Sequence, residues 1–567
     1  MNSSSNHREK ILLVLLPFWE PQIPPLGITS LKAFLGPYGF RVRCVDANVV
    51  DTFIQHHIRY FSCLQGWIPA AQQGNFPNIG QDVFRNQAMA HIHHDRQAGG
   101  PYRELVQDIV YKNFYTEITD TQVQRLSDIL DAYFADLEAY LLALLAEQKP
   151  DVLGLSVFRG NLASAMFAFR LARQYYPGIK NVMGGAVFAG ELAVGSENLE
   201  HFLEVTPYID VLLAGEGENL FLKYLQGKLP ADRRLFTLED IGKQTVDIKG
   251  AAIPDFSDLA LEFYPNLALY ASRSCPFECS FCTETVYWGN YRKKGAPQVV
   301  QEMKVLHREH RSQLFLLCDS LLNPIVSDLS RELLGEDVSL YWDGYLRADR
   351  QAADPDNTYL WRRGGLYRTR LGIESGSPHV LELMGKKTNL DEIKAALANL
   401  AEAGIKTTTY WVLGHPGETE EDFLQTLDLV SELRDSIYEA WCSPFNYYPA
   451  GQVASDRWRQ HSRLLYPPGA WDMLVVQTWT LDLEPLRPEA LARMNRFMSL
   501  CKALGIPNPY SIVEFNQADD RWKRLHQNAV PALVEFSQPE KPLDENKRVK
   551  RLVLAEKKLD NTVDFNF

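Results

Sequence analysis

The chain has 567 residues, of which 46% are hydrophobic and 23% are charged, and its formal net charge is −13. This length suits about three to four domains, and the composition is ordinary for a globular protein, which excludes wholesale disorder and fibrous repeats. The acidic balance, with a pI near 5.6, gives no broad cationic surface for binding a nucleic acid.

The first part of the chain alternates apolar strands with amphipathic helices. Residues 10–48 predict strand, loop, helix and strand, and residues 151–225 continue this alternation. The apolar run ILLVLLP at 11–17 is far shorter than the roughly 20 residues of a membrane span, and no small-residue cleavage site follows it, so we expect a buried first strand. Continuous apolar strands separated by helices indicate a parallel sheet covered on both faces, a doubly wound domain of Rossmann type over residues 1–230.

An insertion over about residues 50–150 interrupts this domain. Its first part is polar, and we expect irregular structure through QQGNFPNIG and HIHHDRQAGG, whereas its second part predicts one long helix. The apolar residues that recur at helical spacing there are Leu126, Ile129, Leu130, Tyr133, Leu137, Tyr140, Leu141 and Leu144. The histidines of HIHH (91–94) could bind a metal, but without partner cysteines they are more typical of a solvated loop.

A second alternating series follows a linker at 231–265 and runs from residue 266 to 450. Its candidate strands are LALYAS, QLFLLCD, SLYWDGYLR, RTRLGIE, KTTTYWVLG and AWCSPFNYY. Six strands with intervening helices predict a partial (β/α)6 barrel, whose working face is the C-terminal end of its strands. Helix signals agree, because AALANLAEAG ends on Gly404 and Thr419 with Asp422 forms a capping-box pattern.

Residues 451–567 contain a stretch rich in Trp and Pro and end in a charged tail. We expect this region to be mainly helical and to cover the substrate together with the insertion. The two basic runs of the chain, RKK at 292–294 and KRVKR at 547–551, are interpreted as solvated faces.

Three of the eight cysteines fall within eight positions in SCPFECSFC (274–282). Structural zinc requires four nitrogen or sulfur ligands, and no further His or Cys pair follows at finger spacing, so a closed zinc site is poorly supported. Thiolates also suit iron and sulfide, and a four-iron cluster held by Cys275, Cys279 and Cys282 would keep one iron open to another ligand. The other cysteines show no disulfide pattern, which favours a reducing, cytoplasmic compartment.

The spacing C-x3-C-x2-C after a first barrel strand resembles the signature of the radical S-adenosylmethionine (SAM) enzymes. The segments LCDS (317–320), YLRAD (345–349), RLGIESGSPHVLELMGKKT (370–388) and WVLGHPGETEEDF (411–423) resemble the strand ends of that superfamily. The resemblance implies that the free iron chelates SAM. The implied SAM-binding residues are Phe281, Asp319, Ser320, Arg347, Glu374 and Ser375. The structural alternative is that Glu374 pairs with Arg347 to hold the barrel.

Upstream, PPLGITSLKAFL, VDAN, LSVFRGNLASA, GGAVFAG and GEGE follow one another in order. Together they resemble the cobalamin-binding domain of one branch of the superfamily, the cobalamin-dependent (class B) radical SAM enzymes. The resemblance spans residues 10 to about 450 apart from the insertion. Glycines at strand ends let an elongated ligand approach the backbone. The implied cobalamin-binding residues are Leu26, Gly27, Asp46, Asn48, Ser156, Phe158, Asn161, Gly184, Gly185, Gly215, Glu216 and Gly217.

One motif of many cobalamin domains is missing. Residues 1–230 contain no D-x-H-x-x-G string, which supplies the histidine that binds cobalt. We therefore expect no histidine ligand from this domain, and Trp67 is a candidate to shield the lower face of cobalt. The alternative is that Trp67 is a loop tryptophan packed on the core.

The resemblance implies a cobalamin-dependent radical SAM methyltransferase. It would transfer a methyl group from SAM through methylcobalamin to an unactivated carbon of a natural-product, peptide or tetrapyrrole-like substrate. The implied cofactors are a [4Fe-4S] cluster, SAM and cobalamin, and the implied partner is an electron donor such as flavodoxin or ferredoxin. No protein acid or base is nominated, because the cofactors carry the chemistry. The alternatives are a cyclase or ring-rearranging enzyme with the same cofactors, and a sensor or electron carrier, against which the SAM motifs argue.

Overall fold

The computed structural model describes residues 9–17, 23–94, 99–509 and 512–529. Within these residues, two six-stranded sheets, each parallel throughout, form an N-terminal domain and a partial barrel. The predicted fold class is confirmed: a Rossmann-like domain, a radical SAM type of barrel and a mainly helical extension. No helix in the described part of the chain is both long and apolar enough to cross a membrane.

The N-terminal domain has its sheet in the order β2-β1-β3-β4-β5-β6. The elements, with the insertion, are β1 (Lys10–Leu15), α1 (Leu26–Leu35), β2 (Arg41–Asp46), α2 (Asp51–Trp67), α3 (Ala70–Gln73), α4 (Phe76–His93), α5 (Gly99–Phe114), α6 (Asp120–Gln148), β3 (Val152–Ser156), α7 (Leu162–Tyr175), β4 (Lys180–Gly184), α8 (Glu197–Val205), β5 (Val211–Ala214), α9 (Gly217–Leu225) and β6 (Leu235–Thr237). The register places Leu13 between Cys44 and Gly154. Strand order reverses between β1 and β3, and such switch points bind ligands at the carboxyl ends of the strands.

The insertion is helical from its start, so the expected irregular first part is wrong. The predicted long helix is confirmed as α6. Helices α2, α4 and α5 pack against it. The polar residues that suggested a loop lie inside this packing because hydrogen bonds satisfy them. Gln87, for example, accepts from Tyr60 Oη at 2.6 Å and donates to Tyr102 Oη at 3.2 Å. In addition, the expected linker contributes the short strand β6, which pairs in parallel with β5.

Two groups of charged or titratable residues are buried where we expected solvated faces. His91 lies near the end of α4, buried, with Nε2 3.2 Å from Asp131 Oδ1. In the run 292–294, Lys294 is buried and its Nζ lies 2.6 Å from Glu302 Oε2. A carboxylate partner makes such burial possible. The run at 547–551 lies outside the described residues.

The barrel sheet has the order β14-β13-β12-β11-β10-β7, so neighbouring strands follow chain order. Its elements are β7 (Leu267–Leu269), β8 (Ser272–Arg273), α10 (Glu284–Trp288), β9 (Arg292–Lys293), α11 (Ala296–His310), β10 (Leu314–Leu317), α12 (Val326–Leu334), β11 (Tyr341–Leu346), α13 (Pro355–Arg363), β12 (Leu366–Glu374), α14 (Pro378–Leu383), α15 (Leu390–Glu402), β13 (Lys406–Leu413), α16 (Glu420–Glu432) and β14 (Glu439–Pro444). All six predicted strands are confirmed. The capping box of Thr419 and Asp422 starts α16, and Gly404 follows α15 with φ +85°.

The C-terminal extension joins the barrel to the insertion. Its described elements are α17 (Ser455–Trp458), β15 (Ser462–Leu464), α18 (Trp471–Leu474), β16 (Trp479–Leu481), α19 (Arg487–Ala503) and α20 (Ile512–Leu525). Helix α19 covers the outer face of the barrel sheet, where the rings of Trp411 and Phe497 lie 5.6 Å apart. From the insertion, Asn75 Nδ2 donates to Cys442 O in β14 at 2.7 Å. The three regions therefore pack as a continuous body.

Gly184 and Gly185 differ in what a side chain would meet. Gly185 has φ +119°, and a Cβ there would overlap the carbonyl oxygen of Val157 and lie 2.5 Å from its nitrogen. A Cβ on Gly184 would meet nothing closer than Leu213 O at 3.8 Å.

The conformation of Gly185 makes a prediction for stability. Backbone strain at a positive φ costs roughly 1–3 kcal/mol, so we expect Gly185→Ala to lower the free energy of unfolding by about 3 kcal/mol. Urea unfolding followed by circular dichroism measures this, with Gly184→Ala as the matched control; equal losses in both variants would contradict the packing described.

Candidate functional site

The three cysteines lie on the loop between β8 and α10. Cys279 is buried, and Cys275 and Cys282 are partly buried. Burial raises the pKa of the Cys282 thiol to about 12, and the charges of Glu284 and of the other two cysteines act in the same direction. A bound metal must therefore displace the proton to obtain a thiolate. Among the described residues, no three His, Cys, Asp or Glu side chains are gathered into a ready metal-ion site.

Hydrogen bonds from two other segments fix the backbone of this loop. They are Ser280 N to Met384 O (2.8 Å), Val453 N to Cys282 O (3.0 Å), Ala454 N to Ser280 O (3.0 Å) and Gln452 Nε2 to Phe281 O (3.0 Å). The half-buried ring of Phe281 therefore sits on a backbone that is held from both sides. Gln452 could not be identified from the sequence, because the stretch after β14 has no strand or helix periodicity that would mark it.

Arg347, directly after β11, lies against the cysteine loop. Its guanidinium carbon is 4.1 Å from the ring centroid of Phe277. Its Nη2 atom is buried and has no hydrogen-bond partner. A buried donor without an acceptor is costly, so an acceptor oxygen of a ligand fits at this position.

Glu374 ends β12 with φ +68°, a conformation that is rare for a residue with a side chain. Its Oε1 accepts a hydrogen bond from Lys386 Nζ at 2.6 Å. Gly372 makes room for this pair, because a Cβ there would overlap Glu374 Oε1 and lie 3.0 Å from Lys386 Nζ. The partner of Glu374 is therefore Lys386 and not Arg347, and nothing in the sequence indicated this pair.

The other predicted SAM-binding side chains already have protein partners. Asp319 accepts from Ala271 N at 3.0 Å and from Ser272 Oγ at 2.5 Å, and burial raises its pKa to about 6. Ser320 Oγ donates to Glu284. Ser375 Oγ accepts from the backbone of Ser377 and lies 3.2 Å from Thr426 Oγ1. These contacts shape the strand ends that surround Arg347.

The residues expected to bind cobalamin gather at the carboxyl edge of the N-terminal sheet. By position they are Leu26 and Gly27 at the start of α1, Asp46 and Asn48 at the end of β2, Ser156, Phe158 and Asn161 around the end of β3, Gly184 and Gly185 around the end of β4, and Gly215, Glu216 and Gly217 between β5 and α9. Parallel strands bring these ends to one edge. Added Cβ atoms on Gly27, Gly184 and Gly217 would meet nothing closer than 3.7 Å. This edge therefore leaves room beside its backbone.

The polar members of this group hold the edge loops in shape. Asp46 accepts from Tyr264 Oη at 2.7 Å and from Asn48 N at 2.9 Å, and burial raises its pKa. Asn161 Oδ1 accepts from Phe158 N at 2.8 Å. Trp67 is the last residue of α2, in a helix and not a loop, and packs half-buried against the main core. These contacts agree with the alternative that Trp67 is a tryptophan packed on the core.

Buried ion pairs connect this edge to the cysteine loop. The side chain of Glu216 is 2% exposed and lies 2.6 Å from Arg292 Nη2 and 3.1 Å from Arg273 Nη1. Glu218 also pairs with Arg273, at 2.5 Å. Burial acts to raise the pKa of Glu216, but the hydrogen bond from Arg292 and the charge of Arg273 outweigh it, and the pKa is lowered. Because Arg273 precedes Cys275 by two residues, these pairs position the loop.

Tyr287 forms a second connection. It belongs to α10, directly after the cysteine loop, and its hydroxyl lies 3.2 Å from both Gly185 O and Gly215 O. These carbonyls stand at the carboxyl ends of β4 and β5. The cysteine loop and the glycine-rich edge therefore face each other across residues 273–292.

Known proteins are similar to this chain in both its barrel and its N-terminal domain. Residues 269–430 match the radical SAM superfamily. The anaerobic magnesium-protoporphyrin IX monomethyl ester cyclase of Rubrivivax gelatinosus is 27% identical over 336 residues, which are 53% of this chain and 58% of the relative. The cobalamin-dependent radical SAM methyltransferase TokK of Streptomyces tokunonensis is 26% identical over 348 residues, 53% of this chain and 49% of TokK. The chain therefore contains a radical SAM domain and is similar over about half its length to enzymes named as cobalamin-dependent radical SAM enzymes and cyclases.

Two solved structures share the overall fold of this chain. The methyltransferase TsrM of Kitasatospora setae, solved with cobalamin and a [4Fe-4S] cluster, has a TM-score of 0.57 at 14% identity and covers 91% of this chain and 99% of its own. OxsB, solved with aqua-cobalamin and S-adenosylmethionine, has a TM-score of 0.52 at 14% identity, covering 90% of this chain and 63% of its own. The chain spans about half the length of the curated relatives it matches.

The buried pairs of Glu216 make a prediction for stability. Removing one partner of a buried ion pair costs roughly 3–5 kcal/mol, because the other charge stays buried. We expect Glu216→Gln to lower the free energy of unfolding by about 3 kcal/mol, measured by urea unfolding. The control is Glu239→Gln, since the pair of Glu239 with Lys243 is exposed; a loss no larger than that of the control would show that the pairs do not hold the domains together.

Proposed function

We propose that the chain is a cobalamin-dependent radical SAM methyltransferase, which transfers a methyl group from SAM to an unactivated carbon of a natural-product, peptide or tetrapyrrole-like substrate. The observation that carries the proposal is the contact between the cysteine loop and the glycine-rich edge, made by Tyr287 and by the pairs of Glu216. Methyl transfer requires both cofactor sites to face one substrate. TokK, a relative named as a methyltransferase, supports the same conclusion.

The donor set of the cysteine loop fits a [4Fe-4S] cluster. Cys275, Cys279 and Cys282 offer three soft thiolates and leave one iron for a further ligand, as SAM requires. The buried, unpaired Nη2 of Arg347 is a donor placed beside the loop, suited to the carboxylate of SAM. The side-chain amide of Gln452 and the backbone N–H of Val453 both donate to the backbone of the loop, which ties it to the segment after β14.

The glycine-rich edge fits cobalamin. A Cβ on Gly27, Gly184 or Gly217 would make only ordinary van der Waals contacts, at 3.7–4.0 Å, and the half-buried Ser156 lies beside Gly27 and Gly184. When bound, the cluster, SAM and cobalamin would supply one-electron cleavage of one SAM molecule at the cluster and transfer of the methyl group of a second SAM molecule through cobalamin. The residues of the chain bind and orient these groups and shield them from water between the two domains. An electron donor such as flavodoxin or ferredoxin would supply the reducing equivalents.

The cysteines allow a direct test. We expect each of Cys275→Ala, Cys279→Ala and Cys282→Ala to lose the iron bound after anaerobic reconstitution and to release no 5′-deoxyadenosine, while cobalamin absorbance is kept, because cobalamin sits on the other domain. Iron analysis and chromatography of the nucleoside measure this. Cys63→Ala is the control, since Cys63 lies in α2 of the insertion. SAM cleavage that persists without any one of the three thiols would refute the cluster assignment.

A second candidate is a cobalamin-dependent cyclase or ring-rearranging enzyme, favoured by the relatives named as magnesium-protoporphyrin IX monomethyl ester cyclases. SAM with an isotope-labelled methyl group separates the two. For a methyltransferase we expect one labelled methyl group in each product molecule, detected by mass spectrometry in candidate-substrate assays. Formation of 5′-deoxyadenosine and of an unlabelled product would assign the cyclase chemistry.

A further inference from the structure

The inner face of the barrel sheet is more open than its outer face. On β12 and β13 the outward-facing residues are fully packed beneath helices: Thr369, Leu371, Ile373, Thr409, Trp411 and Leu413. The inward-facing residues in the C-terminal half of the sheet are half-buried instead: Arg370, Gly372, Tyr410, Val412, Trp441 and Ser443. Side chains of a strand alternate between its two faces. Because the inward-facing side chains are less buried than the outward-facing ones, the inner face lines an open chamber.

The floor of this chamber is closed by paired charges. Arg368 Nη2 lies 2.7 Å from Glu439 Oε2, and Arg370 Nη2 lies 2.8 Å from Asp343 Oδ2. Thr408 Oγ1 also donates to Glu439 at 3.0 Å. Each guanidinium is matched by a carboxylate, so the floor presents no net charge to a ligand.

Three aromatic side chains form a row above the floor. The ring centroids of Tyr345 and Tyr410 lie 6.0 Å apart with 32° between the ring planes, and those of Tyr410 and Trp441 lie 6.4 Å apart with 30° between the planes. Tyr345 is 36% exposed although it lies on the inner face of a central strand. The Nε1 atom of Trp441 donates to Glu439 Oε2 at 3.2 Å, which directs its polar edge toward the floor.

The aromatic row (Tyr345, Tyr410, Trp441) lies next to the proposed SAM layer. Arg347, directly after the end of β11, follows Tyr345 by two residues, a rise of about 7 Å in extended chain. A group resting on the row would therefore lie directly below the groups that hold SAM.

We propose that the aromatic row binds a planar aromatic group of the substrate. This rests on the proposed function, because the group must reach the layer where SAM is cleaved. Neighbouring ring planes of the row lie about 30° from one another, and aromatic groups with centroids 4.5–7 Å apart attract one another in offset or tilted arrangements, which a planar ring of a ligand could extend. The neutral floor disfavours an anionic or cationic group as the main determinant, since neither paired arginine has a free charge to offer. The substrate class is thus a neutral planar π-system.

The test uses the full chain, reconstituted anaerobically with its cluster, and a matched pair of neutral probes. These are 2-naphthol, which is planar, and decahydro-2-naphthol, which has the same skeleton without the π-system. Equilibrium dialysis gives the Kd of each. We expect 2-naphthol to bind about tenfold more tightly than its saturated counterpart, and Tyr410→Leu to raise the Kd of 2-naphthol about tenfold, the upper range for one aromatic contact.

Controls separate this effect from misfolding. Tyr410→Phe keeps the ring and should change the Kd of 2-naphthol less than twofold. Tyr359→Leu removes an aromatic side chain that is 40% exposed on α13, away from the chamber, and should leave the Kd unchanged. Iron content reports whether each variant is folded around its cluster.

The contrary outcomes are distinct. Equal Kd values for 2-naphthol in the wild type and in Tyr410→Leu overturn the proposal. Competition between 2-naphthol and SAM, with the Kd of SAM raised to the same extent in Tyr410→Leu, assigns the row to adenine and also overturns it. Binding that depends on Tyr410 in a protein that cleaves no SAM supports the aromatic row and contradicts the proposed function.

Discussion

Four charged side chains between the two sheets set the geometry on which both proposed cofactor sites depend. Glu216 and Glu218, at the carboxyl edge of the N-terminal sheet, are neutralised by Arg273 and Arg292, which flank the cysteine loop. Taking these charges out of water is costly, and only complete pairing offsets the cost. The two domains therefore have one favourable way to dock. Since Arg273 is two residues from Cys275, the docking also places the loop.

The barrel adds a second constraint by reversing the usual location of polar residues. Its outer face is packed under helices, and its inner face carries charge, aromatic rings and partly open positions. Gly372 and the strained Glu374 show how the strand ends serve this inner face. The glycine leaves the space into which Lys386 reaches, and the left-handed backbone of Glu374 turns its carboxylate toward that lysine. Strain of this kind persists where the surroundings hold it, as at binding sites.

The strands and the cysteine loop could be predicted because their signals are local. Apolar runs mark the strands, and the spacing of the cysteines needs no tertiary information. The first part of the insertion could not, because Gln87 is buried through bonds to two tyrosines, 27 and 15 residues away in the chain. Lys386 and Lys387 are adjacent and chemically identical in the sequence, yet one is buried and the other is exposed. Only the fold, which supplies Glu374 as a partner, distinguishes them.

The division of the barrel wall into a packed outer face and an open inner face affects how the protein can change. Residues such as Leu371 and Trp411 carry the cohesion of the sheet, whereas Val412 and Ser443 touch the chamber and contribute little to it. Exchanging Val412 or Ser443 therefore alters the shape of the chamber at small cost to the fold. Substrate scope can be varied, by natural selection or by directed evolution, without first gaining a reserve of stability.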